Sequence, residues 1–163
     1  MAEPAAGGGH DWVAAAMREH EASLLRYAAR LTGDADLARD VTQDVFMRLC
    51  SESPAQLNGR LRPWLYTVCR NHAIELVRKR DRKADSRRGD SVDPAVVAET
   101  SEATSQVLRE LAHLSANQQE VIRLRFEHGL SYKEIAAVTE LTVSNVGVLI
   151  HTAIKTIRER IGD

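Results

Sequence analysis

A dense group of cations lies near the middle of the 163-residue sequence, with five basic side chains in six positions: Arg78, Lys79, Arg80, Arg82 and Lys83. Residues 60–90 contain 10 basic and 4 acidic side chains, although the net charge of the chain is only −1. A local excess of cations on a nearly neutral protein is the pattern that a phosphate backbone attracts. The cluster is therefore a candidate for binding nucleic acid, although solvated cations at a helix end would have the same composition.

Residues that could support catalysis are scattered. The six histidines have no metal-ligand spacing, and His20-Glu21 lacks the second histidine of a zinc-protease helix. The sequence contains no glycine-rich phosphate loop and no nucleophile elbow. We therefore predict that the protein is not an enzyme and needs no cofactor or metal.

Two cysteines, Cys50 and Cys69, are too few for a disulfide framework and suit a reducing compartment. Residues 1–10 lack the basic and apolar regions of a secretory signal, and no stretch has the apolar length of a membrane span. We expect a cytoplasmic protein with a disordered leader over residues 1–10. Because the last predicted core position, Ile161, lies near the end of the sequence, we expect no further C-terminal domain.

Composition favours helices. Apolar residues make up 44% of the chain but aromatic residues only 4%, and alanine and leucine dominate. We predict an all-α protein with two small helical domains, residues 11–85 and 105–163, joined by a flexible linker over residues 86–104. The linker assignment depends on a stretch rich in Asp, Ser, Gly, Pro and Ala.

The first domain is predicted to contain three helices, with residues 51–62 forming a loop after the second. Asp11 is expected to cap the first helix and Gly33 to end it. Asp34 is expected to cap the second, and Pro63 to lie in the first turn of the third. On the third helix, Trp64 and Cys69 are expected to be buried.

The second domain has repeated helix-start signals. Ser115 with Gln118 and Ser131 with Glu134 have the spacing of capping boxes, and Thr142 can cap the last helix. A short helix, a tight turn and a longer helix form the helix-turn-helix pattern. The apolar positions predicted to form helix cores in this domain include Phe126 and a stripe on the last helix: Val143, Val146, Ile150, Ile154, Ile157 and Ile161.

Three motifs in order suggest a family: Asp40-Val41-Thr42-Gln43-Asp44-Val45-Phe46, then Trp64-Leu65-Tyr66 with Arg70-Asn71, then Gly129-Leu130-Ser131-Tyr132-Lys133-Glu134-Ile135-Ala136. Together they resemble bacterial RNA polymerase sigma factors of the extracytoplasmic-function (ECF) group, which keep conserved regions two and four. The resemblance covers roughly residues 10–85 and 105–161. It implies a transcription initiation factor that binds RNA polymerase core and directs it to promoters through minus-ten and minus-thirty-five elements.

The resemblance also implies roles for individual residues in the first domain. A face of the second helix would dock on the beta-prime clamp helices of core polymerase, through Asp40, Gln43, Asp44 and Met47. The third helix and the loop before it would recognise and melt the minus-ten element, a task that needs a basic groove and pockets for unstacked bases. The residues available for this are Asn58, Arg60, Arg62, Arg70, Asn71, Arg78, Arg80 and Arg82.

In the second domain, the last helix would read the minus-thirty-five duplex, with the beta flap as the polymerase partner. Asn145 can pair with adenine and Val148 can contact a thymine methyl group. The family usually has lysine or arginine where this sequence has Gly147-Val148-Leu149, so we expect weak binding of duplex DNA by the free protein. The residues assigned to this element are Lys133, Ser144, Asn145, Val148, His151, Lys155 and Arg158.

Two other readings remain open. A stand-alone helix-turn-helix regulator would bind an operator tightly without polymerase, which the poorly basic last helix disfavours. A helical interaction module that no longer binds DNA would use the acidic second helix to contact a protein. Members of the resembled group are commonly held inactive by an anti-sigma factor, so such a partner is also possible here.

Overall fold

The computed structural model describes residues 10–83 and 101–162, which form two compact units. Within these ranges every regular element is a helix. The predicted all-α class with two helical domains is therefore confirmed. Residues 1–9 of the leader predicted over residues 1–10, and most of the predicted linker, lie outside the described residues.

The first unit is a three-helix bundle made by α1 (Asp11–Thr32), α2 (Ala35–Leu49) and α4 (Leu61–Lys83), which pack on one another pairwise. Leu24, Val45 and Leu65, one from each helix, are completely buried at its centre. The rings of Tyr27 and Tyr66 meet with their centroids 5.3 Å apart, in the tilted arrangement that aromatic pairs prefer.

Most helix boundaries of this unit follow the sequence signals. Gly33 ends α1 in the left-handed conformation, and Asp34 caps α2 by accepting hydrogen bonds from two backbone N–H groups. The predicted cap at Asp11 is wrong, because the helix already begins at that residue. His10 holds the cap position without a side-chain cap bond, and Asp11 in the first turn favours the helix by its charge instead.

A short helix, α3 (Pro54–Leu57), replaces part of the loop predicted over residues 51–62. Ser53 caps it and Pro54 starts it, while Leu57 is buried and holds it against the bundle. A four-residue helix is too short for apolar periodicity to predict.

The second unit contains α5 (Glu102–Leu111), α6 (Ala116–Ile122), a π-helical turn (Arg123–Glu127), α7 (Tyr132–Thr139) and α8 (Val143–Ile161). Both predicted capping boxes are present, at Ser115 and at Ser131. Helix α5 starts within the range predicted as linker, because Ser101 caps it. Fully buried residues at the centre of the unit come from every element after α5: Val121, Leu124, Leu130, Ile135 and Val146.

Two predicted core positions in this unit are wrong. Phe126 is 64% exposed because it lies in the π-helical turn. In this turn the N–H of His128 donates to the carbonyl of Arg123, five residues earlier, and the wider turn shifts the apolar stripe out of register with the core. Val143 is exposed because it lies in the first turn of α8, before the stripe meets the core at Val146. Below that point α8 also buries Ala153, which the predicted stripe omitted.

No single helix among the described residues is long and apolar enough to cross a membrane. Only α7 and α8 taken together have the length and apolar composition of a span, and the chain bends by 106° between these two helices.

Candidate nucleic-acid interface

The outer face of α2 presents three of its four predicted docking residues to solvent. Asp40, Gln43 and Met47 are exposed, and Met47 is 65% exposed although it is a large apolar side chain. The fourth residue, Asp44, is half-buried. We name the exposed set Asp40, Gln43 and Met47 the α2 face.

Asp44 points toward α4, where its carboxylate accepts a hydrogen bond from Nε2 of His72 at 2.7 Å. The His72 side chain is 13% exposed, and its other ring nitrogen, Nδ1, is buried without a hydrogen-bond partner among the described residues. The pair joins the helix of the α2 face to the helix predicted to hold the melted strand. Sequence reasoning missed His72 because its partner lies 28 residues away and no local pattern links them.

The predicted minus-ten residues begin at the junction of α3 and α4. Asn58 and Gly59 both have left-handed backbone conformations, with φ of 47° and 74°. These two residues turn the chain into α4 and leave Asn58 and Arg60 exposed, whereas Arg62 is half-buried. The junction thus presents one exposed cation, Arg60, directly before the first turn of α4.

Along α4, Asn71 is exposed and its neighbour Arg70 is half-buried. Trp64, predicted to be core, is only half-buried. Cys69 is completely buried, as predicted. Burial raises the pKa of its thiol from 9.0 to about 12, and its Sγ lies 3.9 Å from the Leu24 carbonyl oxygen.

The cations at the end of α4 do not all have the same surroundings. Arg78 and Arg82 are exposed, and Arg82 donates a long hydrogen bond of 3.4 Å to the Arg78 carbonyl. Arg80 instead donates a 2.7 Å hydrogen bond to the carbonyl of Thr32, the last residue of α1, and lies 3.6 Å from Asp81. Arg80 therefore satisfies a helix-terminal carbonyl that has no partner within its own helix.

The second unit presents the helix-turn-helix as predicted. The axes of α7 and α8 are bent by 106° at the turn between them, within the range of that motif. Thr142 caps α8 by accepting a hydrogen bond from Asn145 N–H. All the residues predicted to read or anchor the minus-thirty-five element are exposed: Lys133, Ser144, Asn145, Val148, His151, Lys155 and Arg158.

Comparisons with known proteins agree with this division. Residues 16–83 match the family Sigma-70 region 2, and residues 104–157 match Sigma-70, region 4. The ECF RNA polymerase sigma factor SigL of Mycobacterium tuberculosis (strain H37Rv) is 33% identical over 148 residues, which cover 86% of this chain and 83% of SigL. The chain belongs to the ECF sigma factors. A stand-alone helix-turn-helix regulator is not favoured, because this chain matches Sigma-70 region 2 in addition to the region that contains the helix-turn-helix.

Other relatives are less similar to this chain in sequence. SigM of Bacillus subtilis (strain 168) is 28% identical over 127 residues, which cover 75% of this chain and 78% of SigM. In fold, the chain is similar to the sigma factor RpoE of Bartonella quintana, solved with the anti-sigma factor NepR. That likeness has a TM-score of 0.68 at 24% identity and covers 92% of this chain and 96% of RpoE. As an ECF sigma factor, the protein is a transcription initiation factor that directs RNA polymerase to promoters.

Proposed function

We propose that the first unit divides polymerase binding and strand capture between two helices of one bundle. The α2 face docks on the beta-prime clamp helices of core polymerase, and α4 with the α3–α4 junction holds the minus-ten strand. The supporting observation is that the two helices expose opposite chemistry. The α2 face has one carboxylate, Asp40, one amide and one exposed methionine, whereas the end of α4 is basic.

The electrostatics of each face fit its proposed partner. A carboxylate beside an exposed methionine speeds association with a basic surface and fixes its orientation. A basic helix end beside an exposed asparagine suits single-stranded DNA, since cations hold the phosphates while an amide can hydrogen-bond an unstacked base. Arg78, Arg82 and Asn71 are the exposed α4 residues to which we assign these contacts.

For the second unit, we propose that the first half of α8 enters the major groove of the minus-thirty-five element. Asn145 and Val148 are exposed on this half, where helix-turn-helix proteins contact base edges. An amide pairs with adenine and a valine contacts a thymine methyl group, so the proposed element contains A·T pairs at these positions.

Further partners and location follow from the proposed role. The beta flap would receive the second unit, and an anti-sigma factor would control access to the exposed faces. A factor that works on RNA polymerase belongs in the cytoplasm, where we place this protein.

The test uses purified core polymerase and the full chain. Sequencing RNA 5′ ends after overproduction of the protein would supply a cognate promoter, and the reconstituted enzyme should then initiate from it in vitro. Replacing Gln43 and Met47 by alanine should weaken capture of core polymerase, because both side chains are exposed on the α2 face. Glu21→Ala, an exposed change on α1, is the matched control.

Two results would overturn the proposal. Core polymerase that binds the Gln43 and Met47 variant as tightly as the unchanged chain would remove the docking assignment. Tight binding of the free protein to a duplex operator, with no effect of polymerase, would favour the stand-alone regulator instead.

A further inference from the structure

Gly147 lies inside α8, at a position that neither the backbone nor the packing reserves for glycine. Its backbone is not in the left-handed region, so other residues could adopt the same conformation. Outside its own helix, an added β-carbon would have only the Tyr132 ring within 4 Å. It would lie 3.8 Å from Cε2 and 4.0 Å from Cδ2, which is ordinary van der Waals contact. Alanine would therefore fit at this position.

The glycine also weakens the helix that contains it. Glycine loses more backbone freedom on folding than alanine, so alanine at an interior helix position favours the folded state by about fivefold. The folded unit therefore gains nothing from the missing side chain of Gly147. We look for its use in what approaches α8 from outside.

The missing side chain leaves a notch in the exposed surface of α8. Val143 and Ser144 lie one turn before Gly147, and His151 lies one turn after it. All three side chains are exposed. The ring of Tyr132, which is 38% exposed, closes a further side. We name Gly147 with these four residues the Gly147 notch.

The tyrosine wall of the notch is held in place. The guanidinium carbon of Arg125 lies 5.3 Å from the centre of the Tyr132 ring, within the range of a cation–π contact. Arg125 is itself fixed, because its Nη1 donates a hydrogen bond to the Leu130 carbonyl oxygen at 3.1 Å. A wall that is already ordered favours binding, since less side-chain freedom is lost when a ligand enters.

Thymine matches the notch in size and in polarity. In the major groove this base presents its C5 methyl group next to the O4 acceptor. The methyl group has the size of the side chain that Gly147 lacks, and Val143 and Tyr132 would be its apolar neighbours. The Ser144 hydroxyl can donate a hydrogen bond to O4. Cytosine has no methyl group at this place and would leave the notch empty.

We propose that the Gly147 notch reads one thymine of the minus-thirty-five element by enclosing its methyl group. The inference rests on the proposed reading of that element by α8. It adds a second thymine to the one assigned to Val148, because successive residues of a helix point in directions about 100° apart. Gly147 is thus a specificity-determining residue whose contribution is the space that it leaves.

The experiment removes a methyl group from the DNA and adds one to the protein. Binding of core polymerase with the full chain is measured on cognate promoters in which each minus-thirty-five thymine in turn is replaced by uracil, which lacks only the methyl group. With the unchanged protein, one replacement besides that at the Val148 site should weaken binding about fourfold, the loss expected for one buried methyl group.

Gly147→Ala should reverse this preference. Its binding to the thymine promoter should fall about fourfold, because the alanine methyl group fills the notch. The same uracil replacement should then cause no further loss. Val148→Ala is the matched variant of the neighbouring exposed residue, and it should lose sensitivity to a different thymine while keeping that of the notch.

Folding gives an independent readout for the same variant. Gly147→Ala should raise the midpoint of unfolding followed by circular dichroism, because alanine favours a helix more than glycine does. A variant that is more stable but binds its promoter more weakly does not owe the loss to misfolding.

Three results would overturn the notch. These are the same response to every uracil replacement with and without the alanine, undiminished binding of Gly147→Ala to the thymine promoter, or a lower unfolding midpoint for that variant. Failure of the underlying function has a separate sign. In that case the unchanged protein would bind promoters with intact and scrambled minus-thirty-five elements equally well.

Discussion

The carboxylate of Asp44 lies 2.7 Å from Nε2 of His72, so a residue of α2 is held by a residue of α4. Each member of the pair follows directly after an exposed residue of its own helix, Asp44 after Gln43 and His72 after Asn71. Asp44 is therefore a structural link between α2 and α4 as well as a candidate docking residue. Substitutions at this position report on both roles at once.

Asp44→Ala should lower the stability of the first unit, whereas Gln43→Ala should not. Removing the carboxylate leaves the largely buried imidazole of His72 without its partner, at a cost of about 1 kcal/mol after allowance for the partial exposure of Asp44. Urea unfolding followed by tryptophan fluorescence measures this unit alone, because both tryptophans, Trp12 and Trp64, belong to it. Equal unfolding midpoints for the two variants would contradict the assigned role of the pair.

Asn71→Ala should impair opening of a duplex promoter without affecting the fold, because the side chain is exposed. A template that is already melted over the minus-ten element should restore much of the activity if Asn71 acts in strand capture. Permanganate reactivity of unpaired thymines measures the opening directly. Glu75→Ala, an exposed change one turn further along α4, should leave opening intact. Failure of the melted template to rescue Asn71→Ala would indicate misfolding.

The cations at the end of α4 should separate into two classes. Arg80→Ala should lower the free energy of unfolding by about 1 kcal/mol, because the variant leaves the Thr32 carbonyl without its charged donor. Replacing Arg78 and Arg82 by alanine should preserve stability but flatten the salt dependence of promoter binding, by about 0.7 for each single-strand phosphate that the variant no longer binds. Transcription unaffected by the loss of Arg78 and Arg82 would favour the reading as an interaction module.

The stability of the first unit should fall in alkaline solution. Burial raises the pKa of Cys69 from its ordinary value of 9.0 to about 12. Between pH 9 and pH 12 the thiol therefore ionises in the unfolded chain but stays protonated in the folded one. Burial also raises the pKa of Tyr66, from 10.0 to about 12, with the same sign. The unfolded state then binds fewer protons than the folded state, and the free energy of unfolding decreases as pH rises above about 9.

Cys69→Ala should reduce this alkaline loss, and Cys50→Ala should not, since Cys50 is exposed. Urea unfolding at a series of pH values, followed by tryptophan fluorescence, checks the difference. If both variants lose stability with the same steepness above pH 9, burial of the Cys69 thiol is not its cause.

Sequence signals predicted those features of the fold that depend on neighbouring residues. Gly33, Asp34, Ser115 and Ser131 act within one turn of the helices they end or start, so their spacing alone was sufficient. The resemblance to a known family supplied the expectation of which helices face polymerase and DNA, and that assignment stays a prediction. Phe126 shows the limit of periodicity, because a single π-helical turn moved a predicted core residue to the surface.

Contacts between distant residues could not be predicted in the same way. Arg80 and the Thr32 carbonyl are 48 residues apart, and no pattern in either segment distinguishes this arginine from its basic neighbours. The stacking of Arg125 on Tyr132 likewise depends on how the π-helical turn meets the start of α7. Such pairings are set by packing, and they separate stabilising cations from those available to a partner.

The unequal surroundings of the two cysteines offer a practical tool. Cys50 follows the last residue of α2 and is exposed to solvent. Cys69 is buried within the bundle, and because burial raises its pKa, its thiol stays protonated at neutral pH. A maleimide dye added to the unmodified protein would therefore attach beside the α2 face alone. Fluorescence from that one position could follow assembly with polymerase in real time, with no engineered cysteine.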